Sequence, residues 1–506
     1  MQRIVTTSII SMVLLLVILP INTGAENKKE KINEEIIYDV LVDRFNNGNP
    51  ELGEQVDIDD DLAYHGGDIE GVNSRLDVLD SLGFTTILLS PIMENADKGY
   101  HGYWVEDFYS IEDQFGDEEA LENLIESAHE RDIKVVLELV TNYSAESFIN
   151  KEEQATDEWF KENDITPIEA NEWMEDSLTF DQTNPEVKNY LFDVADYWMD
   201  NFDIDGYKLH AADQADSEFM KELTQNIKEK NEDFYIIGGL LQGETDTNLE
   251  VLGEIDHIDA VENNQLYETF TEVFQEVNHS PKNIYDTWEE TENVNSALYI
   301  DNINTARFSN NAADHERNSI TAWSLALAGM YTTPGVPMVY QGSETPMYGP
   351  GYPENRYLVD FTSGDQDLEK VFEKMGDIRD NFPALVHGSY ELISNNNNLT
   401  LFKRETSDET LYVALNNDDE SQVVEIDGLS DDYQLNGLMH DHLVRVNDNG
   451  IFEVGLPRET AEIFVVEENQ GFNWVFIGFV AIVFIFFIYF VIRLTRLQKK
   501  REANEK

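Results

Sequence analysis

The chain predicts an α/β body followed by an all-β domain and one membrane-crossing helix. Three observations carry this expectation. Strand-like runs alternate with amphipathic stretches over most of the length, the pattern of a parallel sheet wrapped by helices. From about Leu385 to Val466 the texture changes to short alternating runs broken by Asn, Asp and Gly clusters. Trp474 to Ile492 is an uncharged run rich in Phe, Ile and Val. At about 1.5 Å of rise per helical residue, it can cross a hydrocarbon core of about 30 Å.

Taken in order, Arg3, the apolar stretch Ile9 to Ile21 and the small residues Thr23-Gly24-Ala25 make residues 1–25 read as a cleaved signal peptide. A retained N-terminal anchor is the alternative. Candidate strands follow at Glu35 to Val42, Thr85 to Leu89, Lys134 to Val140, Gly206 to Leu209, Phe234 to Gly238, Ser296 to Ile300 and Pro337 to Tyr340. They suit a (β/α)₈ TIM barrel over residues 26–384, in which the loops after the strands carry the chemistry. His210 and Gly239 stand at such strand ends. After the strand near Val140 the chain makes an excursion from Asn142 to about Phe180, too long for an ordinary βα loop. Asn184-Pro185-Glu186-Val187 then starts a helix.

Runs such as Leu399-Thr400-Leu401-Phe402 and Leu411-Tyr412-Val413-Ala414-Leu415 make residues 385–466 an antiparallel β domain, with Asn395 to Asn398 read as a turn. A polar linker, 467–473, reaches the apolar span at 474–492. The tail 493–506 carries Arg493, Arg496, Lys499, Lys500 and Arg501, whereas Glu467 and Glu468 precede the span. Positive-inside bias therefore places the C-terminus in the cytoplasm and the body outside the cell membrane. A buried core helix is the other reading, and the basic flank argues against it.

Composition narrows the partners. Lys and Arg total 33 against 101 Asp and Glu in 506 residues, a net charge of -68, and a nucleic-acid partner is excluded because phosphate binding needs basic patches. The acidic excess is spread along the chain. It reads as a solvated surface suited to salty or alkaline surroundings, or as an acidic docking or cation-binding face. With no cysteine, disulfide frameworks, thiolate zinc sites and thiol nucleophiles are ruled out.

Several separated motifs carry a resemblance. Ile37-Tyr38 through Asp43-Arg44-Phe45-Asn46-Asn47-Gly48-Asn49-Pro50 is followed by His65-Gly66-Gly67-Asp68, then by Gly99-Tyr100-His101-Gly102-Tyr103-Trp104. Leu178 to Val187, the run Gly335 to Glu344 and Glu354-Asn355-Arg356 complete the series. In this order, over roughly Ile36 to Val466, they resemble the α-amylase family, glycoside hydrolase family 13, with its cyclodextrin-forming relatives. The resemblance implies that the excursion is a small domain B, 143–183, and that the C-terminal domain is an all-β sandwich.

The motifs that hold the family's active residues depart from its pattern. The third-strand motif has Glu138 for its aspartate and Tyr143 for its histidine. On the fourth strand Lys208 replaces arginine, His210 stands at the nucleophile position and Asp213-Gln214 replaces a lysine-histidine pair. Gly239 stands at the proton-donor position, and Ile303 and Asn304 replace the histidine and the third acid. A retaining glycosidase needs two carboxyls roughly 5 Å apart, one attacking and one protonating. His210 brings no negative charge, Gly239 has no side chain, Asn304 cannot ionise, and Lys208 lacks arginine's planar fork. The sequence thus leads one to expect no pair of ionisable oxygens at the barrel mouth. Asp213, Glu244 and Asp301 are the nearby acids, and a shifted Gly243-Glu244 is the candidate for a displaced proton donor.

His101, Tyr103, Trp104, Lys208 and Arg356 match family positions lining the sugar site, where an aromatic face stacks on a pyranose. Tyr103 and Trp104 read equally as structural residues of the barrel mouth. Calcium is the one metal implied, at Asn47, Asn49, Asp68 and the Gly66 carbonyl, which offer oxygen ligands. Leu52 and Gly53 replace two asparagines there. At a second family site beside domain B, Asn142 persists while Thr179 and Gln214 replace an acid and a histidine. The function expected is non-hydrolytic: binding α-glucan or wall polysaccharide, or acting as an extracellular scaffold for a membrane-protein partner. An active membrane-bound α-glucan hydrolase using a displaced carboxylate such as Glu244 is the alternative.

Overall fold

The computed structural model describes residues 31–53, 55–162, 169–241, 247–469 and 474–504. The signal-peptide segment, Glu244 and linker residues 470–473 lie outside these. Eight parallel strands close a barrel: β1 (Ile37–Val40), β2 (Thr86–Leu89), β3 (Lys134–Leu139), β4 (Gly206–Leu209), β5 (Tyr235–Gly238), β6 (Ala260–Glu262), β7 (Ser296–Leu298) and β8 (Val336–Tyr340). Each pairs with its neighbours in sequence, and β8 closes on β1 through Ile37 opposite Met338. Seven of these match candidate strands; β6 was not foreseen, because Ala260-Val261-Glu262 is hemmed by Asp259 and Asn263-Asn264 and shows no extended apolar run, whereas Ser296 to Ile300 does.

Alternation along the strands sorts the barrel interior into layers. Ile37, Leu88, Val136, Ile237, Ala260, Ala297 and Met338 form an apolar cluster. Two residues further along β1, β3 and β6 stand Asp39, Glu138 and Glu262, all buried, while Lys208 on β4 is in register with Glu138. The next layer inside the barrel is therefore charged.

Helices are started by local chemistry. Asn184 caps Pro185–Asn201 by accepting from the Glu186 N–H, with Pro185 at the first position, where its missing donor costs nothing. Asp117 and Asp216 cap the helices Glu118–His129 and Ser217–Lys230 in the same way.

The excursion after β3 contains a three-stranded antiparallel sheet of Tyr143–Ala145, Ser177–Phe180 and Phe160–Lys161. Beyond the barrel, a six-stranded sheet and a two-stranded sheet enclose a second core of Leu399, Leu401, Ala414, Val424, Leu435, Phe452 and Phe464. This domain is tied to the barrel by Asn417, whose amide donates to the carbonyls of Val273, Glu276 and His279. The C-terminal helix, Trp474–Asn504, runs on through the basic tail. Within it Gly478–Leu497 has a mean hydropathy of 2.4 with none of the stretch buried, enough by length and composition to cross a membrane.

Candidate functional site

The charged layer converges on one ammonium. Lys208 Nζ lies 2.9 Å from Glu262 Oε1 and 4.0 Å from Glu138 Oε1. Glu138 Oε1 also accepts from His210 Nδ1 at 2.7 Å, and Glu262 Oε2 accepts from the Leu240 N–H at 2.9 Å. Glu138 and Glu262, which the sequence did not bring together, thus both approach the Lys208 ammonium. The layer was missed because Glu262 sits on the unforeseen β6 and Asp39 inside an otherwise apolar strand.

The electrostatics of the charged layer follow from burial and from the Lys208 ammonium. Burial pushes the Glu138 carboxyl up, but the Lys208 ammonium and the His210 hydrogen bond outweigh it and hold Glu138 below the usual carboxylate range. Burial would lower Lys208, yet Glu138, Glu262 and Asp39 hold it well above a normal lysine. Asp39 has no comparable relief. Burial pushes its carboxyl up to about 7, with Lys208 opposing and Glu138 and Glu262 adding to the rise.

Gly239 faces the same layer. A Cβ added there would meet the Leu209 carbonyl oxygen at 2.9 Å and Lys208 Cε at 3.2 Å, so the lysine stem occupies the room a side chain would need. Asn304 is engaged as an acceptor from Arg356 Nη2 at 3.3 Å. Arg356 is buried, donates from Nε to the Ile303 carbonyl at 2.9 Å and lies over the Tyr352 ring at 4.6 Å.

Above the charges lie stacked rings. The Tyr103 ring centroid is 4.1 Å from that of His210 and 5.1 Å from that of His101. Trp173, carried by the 3₁₀ segment Glu169–Asp176 of the inserted domain, lies 4.7 Å from Tyr103 and 5.6 Å from His210. Relative exposures of 1% for Tyr103, 5% for Trp173 and 6% for His210 show the mouth filled by its own side chains. Trp104 is partly buried, and its indole N–H donates to the Trp173 carbonyl at 2.7 Å. The site residues expected from the sequence are therefore brought together, but closed. Trp173 was missed because nothing in the long excursion marks which of its residues folds back.

Neither the expected calcium site nor the eroded one beside domain B presents an open ligand set. The Asp68 carboxylate accepts from the N–H groups of Gly48, Asn49 and Gly71 at 3.0, 2.8 and 2.6 Å, so it serves as a helix cap and loop tie. Asn49 Oδ1 accepts from the Glu51 N–H, and the Asn47 amide lies against Gly66. Beside domain B, the Gln182 amide donates to Asn142 Oδ1 at 2.7 Å and to the Thr141 carbonyl at 2.9 Å, placing N–H donors where a cation would need oxygens. Among the described residues no cluster of three or more His, Asp or Glu could hold a metal ion. The residues present do not fit calcium as they are arranged.

A closed parallel barrel with a small sheet inserted after β3, a β domain after β8 and its polar groups at strand C-terminal ends defines a three-domain (β/α)₈-barrel protein. Residues 39–384 match the alpha-amylase catalytic domain, and residues 388–464 match the alpha-amylase C-terminal domain; the chain belongs to the alpha-amylase family. Among solved structures, an Anoxybacillus alpha-amylase is 35% identical with a TM-score of 0.81, covering 87% of this chain and 99% of that one. An alpha-amylase from Geobacillus thermoleovorans, solved in complex with acarbose, is 33% identical with a TM-score of 0.79 over the same shares. Among curated relatives, a beta/alpha-amylase of Paenibacillus polymyxa is 26% identical over 84% of this chain but only 37% of its own length. A Bacillus cyclomaltodextrinase is 26% identical over 76% of this chain and 73% of its own.

Two measurements check this description. Because Asp39 is raised in the folded state to about 7 from the usual 3.8, the folded protein holds its proton where the unfolded chain has lost it. Stability from this group is full below about pH 4 and declines until about pH 7, by on the order of 4 kcal/mol. Asp39→Asn is expected to raise the melting temperature at pH 8 and flatten that slope; an unchanged pH profile would show that Asp39 ionises freely. Millimolar calcium or a chelator is expected to leave the melting temperature unmoved, and a calcium-dependent rise would mean that the Asp68 loop rearranges into a ligand set.

Proposed function

We propose that this protein is a non-hydrolytic member of its family, held at the cell membrane by its C-terminal helix with the barrel outside and the basic tail in the cytoplasm. It acts by binding α-glucan or wall polysaccharide, or as a scaffold for a membrane-protein partner. The observation that carries this reading is the Lys208 ammonium clasped between Glu262 and Glu138 beneath His210, with Gly239 beside it. Acetal cleavage needs one carboxyl free to attack and another able to deliver a proton. Here the ionised carboxylate is spent on Lys208 and His210, and the raised acid, Asp39, is buried in the charged layer. Losing one member of a cooperative catalytic set already removes most of the rate.

The buried carboxylates favour a second reading enough to be tested with the first: an active hydrolase using displaced acids, among them Glu244 and Glu138. Release of reducing ends from starch and maltooligosaccharides is expected to be absent from the full chain in detergent. Turnover that disappears in Glu244→Gln or Glu138→Gln would establish the hydrolase instead. Restoring the family acids by His210→Asp with Gly239→Glu is expected to yield no activity and to lose about 1–3 kcal/mol of stability, because the added side chain overpacks Lys208 and the Leu209 carbonyl.

Anchoring has its own check. The protein is expected to stay with membranes through alkaline carbonate washing, and a chain ending at Glu468 to be released. Retention of the shortened chain would place attachment elsewhere.

A further inference from the structure

We infer that Trp173 and Tyr103 form a removable plug that closes the barrel mouth over His210, and that the end of an α-linked glucose oligosaccharide enters only when Trp173 swings out. This rests on the glucan-binding reading of the mouth for its ligand, but the plug itself rests on geometry. The rings of His101, Tyr103 and His210 stack in sequence, and Trp173 packs against all three.

Around that stack three buried nitrogens have no hydrogen-bond partner: His101 Nε2, His210 Nε2 and Trp173 Nε1. Their roles are set by their neighbours. His101 Nδ1 accepts from the Tyr103 N–H, and burial, with Arg356 and His210 nearby, keeps His101 well below the usual histidine range. It is neutral, so its proton is on Nε2, which is a donor. Trp173 Nε1 is a donor by chemistry. His210 turns Nδ1 to Glu138, leaving Nε2 buried without a partner. Polar atoms buried without partners are unstable arrangements in a closed mouth and satisfied ones in a mouth holding hydroxyl groups. A neutral polyol with a flat apolar face supplies both the hydroxyls for these nitrogens and a surface for the Tyr103 ring.

Trp173 is carried by a 3₁₀ segment, a conformation with weaker hydrogen-bond geometry than an α-helix, and its carbonyl is held by the Trp104 indole N–H. Trp104→Phe removes that bond and keeps a ring in place.

The test uses the full chain in detergent, with diethyl pyrocarbonate to acylate accessible imidazoles, mass spectrometry to read each histidine, and maltotriose as the sugar. In the unmodified protein His210 is expected to react at least tenfold more slowly than exposed His440. In Trp173→Ala the two rates come within about threefold, maltotriose binds at least tenfold more tightly, and Trp104→Phe shifts both readouts the same way by a smaller factor. His210 already reactive in the unmodified protein, or still protected in both variants, overturns the plug. Weaker maltotriose binding by Trp173→Ala also overturns it, since Trp173 would then be a wall of the sugar site. If His210 becomes reactive while maltotriose binds none of the three proteins, the plug stands and the glucan reading fails.

Discussion

One ammonium organises the interior of this barrel. Lys208 reaches the charged layer because β4 points every second side chain inward, and it finds Glu262 and Glu138 there because β6 and β3 do the same. A charge taken out of water is tolerated only when paired and hydrogen-bonded, and removing one partner of such a set costs far more than the set contributes. Carboxylates without Lys208 would repel one another in a dry interior, and Lys208 without room beside Gly239 could not lie where it does. The four positions are therefore coupled. A substitution at one is felt at the others.

The same ammonium shapes what lies above it. It holds Glu138 ionised, an ionised Glu138 accepts from His210 Nδ1, and His210 so oriented offers its ring face to Tyr103. Tyr103 in turn packs on Trp173 from the inserted domain. The Lys208 ion pair, the His210 imidazole and the rings of Tyr103 and Trp173 form one continuous run of contacts. Its lower end is held by Coulomb attraction in a low-dielectric interior, and its upper end by ring packing.

Much of this was legible in the chain because the residues concerned sit in strongly patterned segments. Gly206-Tyr207-Lys208-Leu209-His210 sets Lys208 and His210 two residues apart on a strand, which alone places them on one face. His101, Tyr103 and Arg356 lie in motif runs whose positions at the mouth follow from the family. What was not legible depended on contacts between distant segments. Glu262 ends a short strand hemmed by Asp259 and Asn263-Asn264, and Trp173 reaches His210 by a fold-back that no local propensity encodes. The Asp68 loop shows how one composition serves two uses. Asn47, Asn49 and Asp68 have the composition of a cation site, but oxygen-bearing side chains also cap helices and bind backbone N–H groups, and that use prevails here.

Membership of a fold family constrains architecture more tightly than chemistry, since function resides in the few side chains at the strand ends. Recognition and cleavage make different demands on those side chains. Stacking on an aromatic face and hydrogen bonding to hydroxyls need no ionisation, whereas cleavage requires two carboxyls whose proton affinities are held apart and whose oxygens reach the same bond. The barrel mouth of this protein carries aromatic and hydrogen-bonding groups in Tyr103 and His101, while its buried Glu138 and Glu262 are engaged by Lys208. On a scaffold of this form the two demands are separable, and a ring packed over the mouth, as Trp173 is over Tyr103 and His210, covers the surface that the first demand requires.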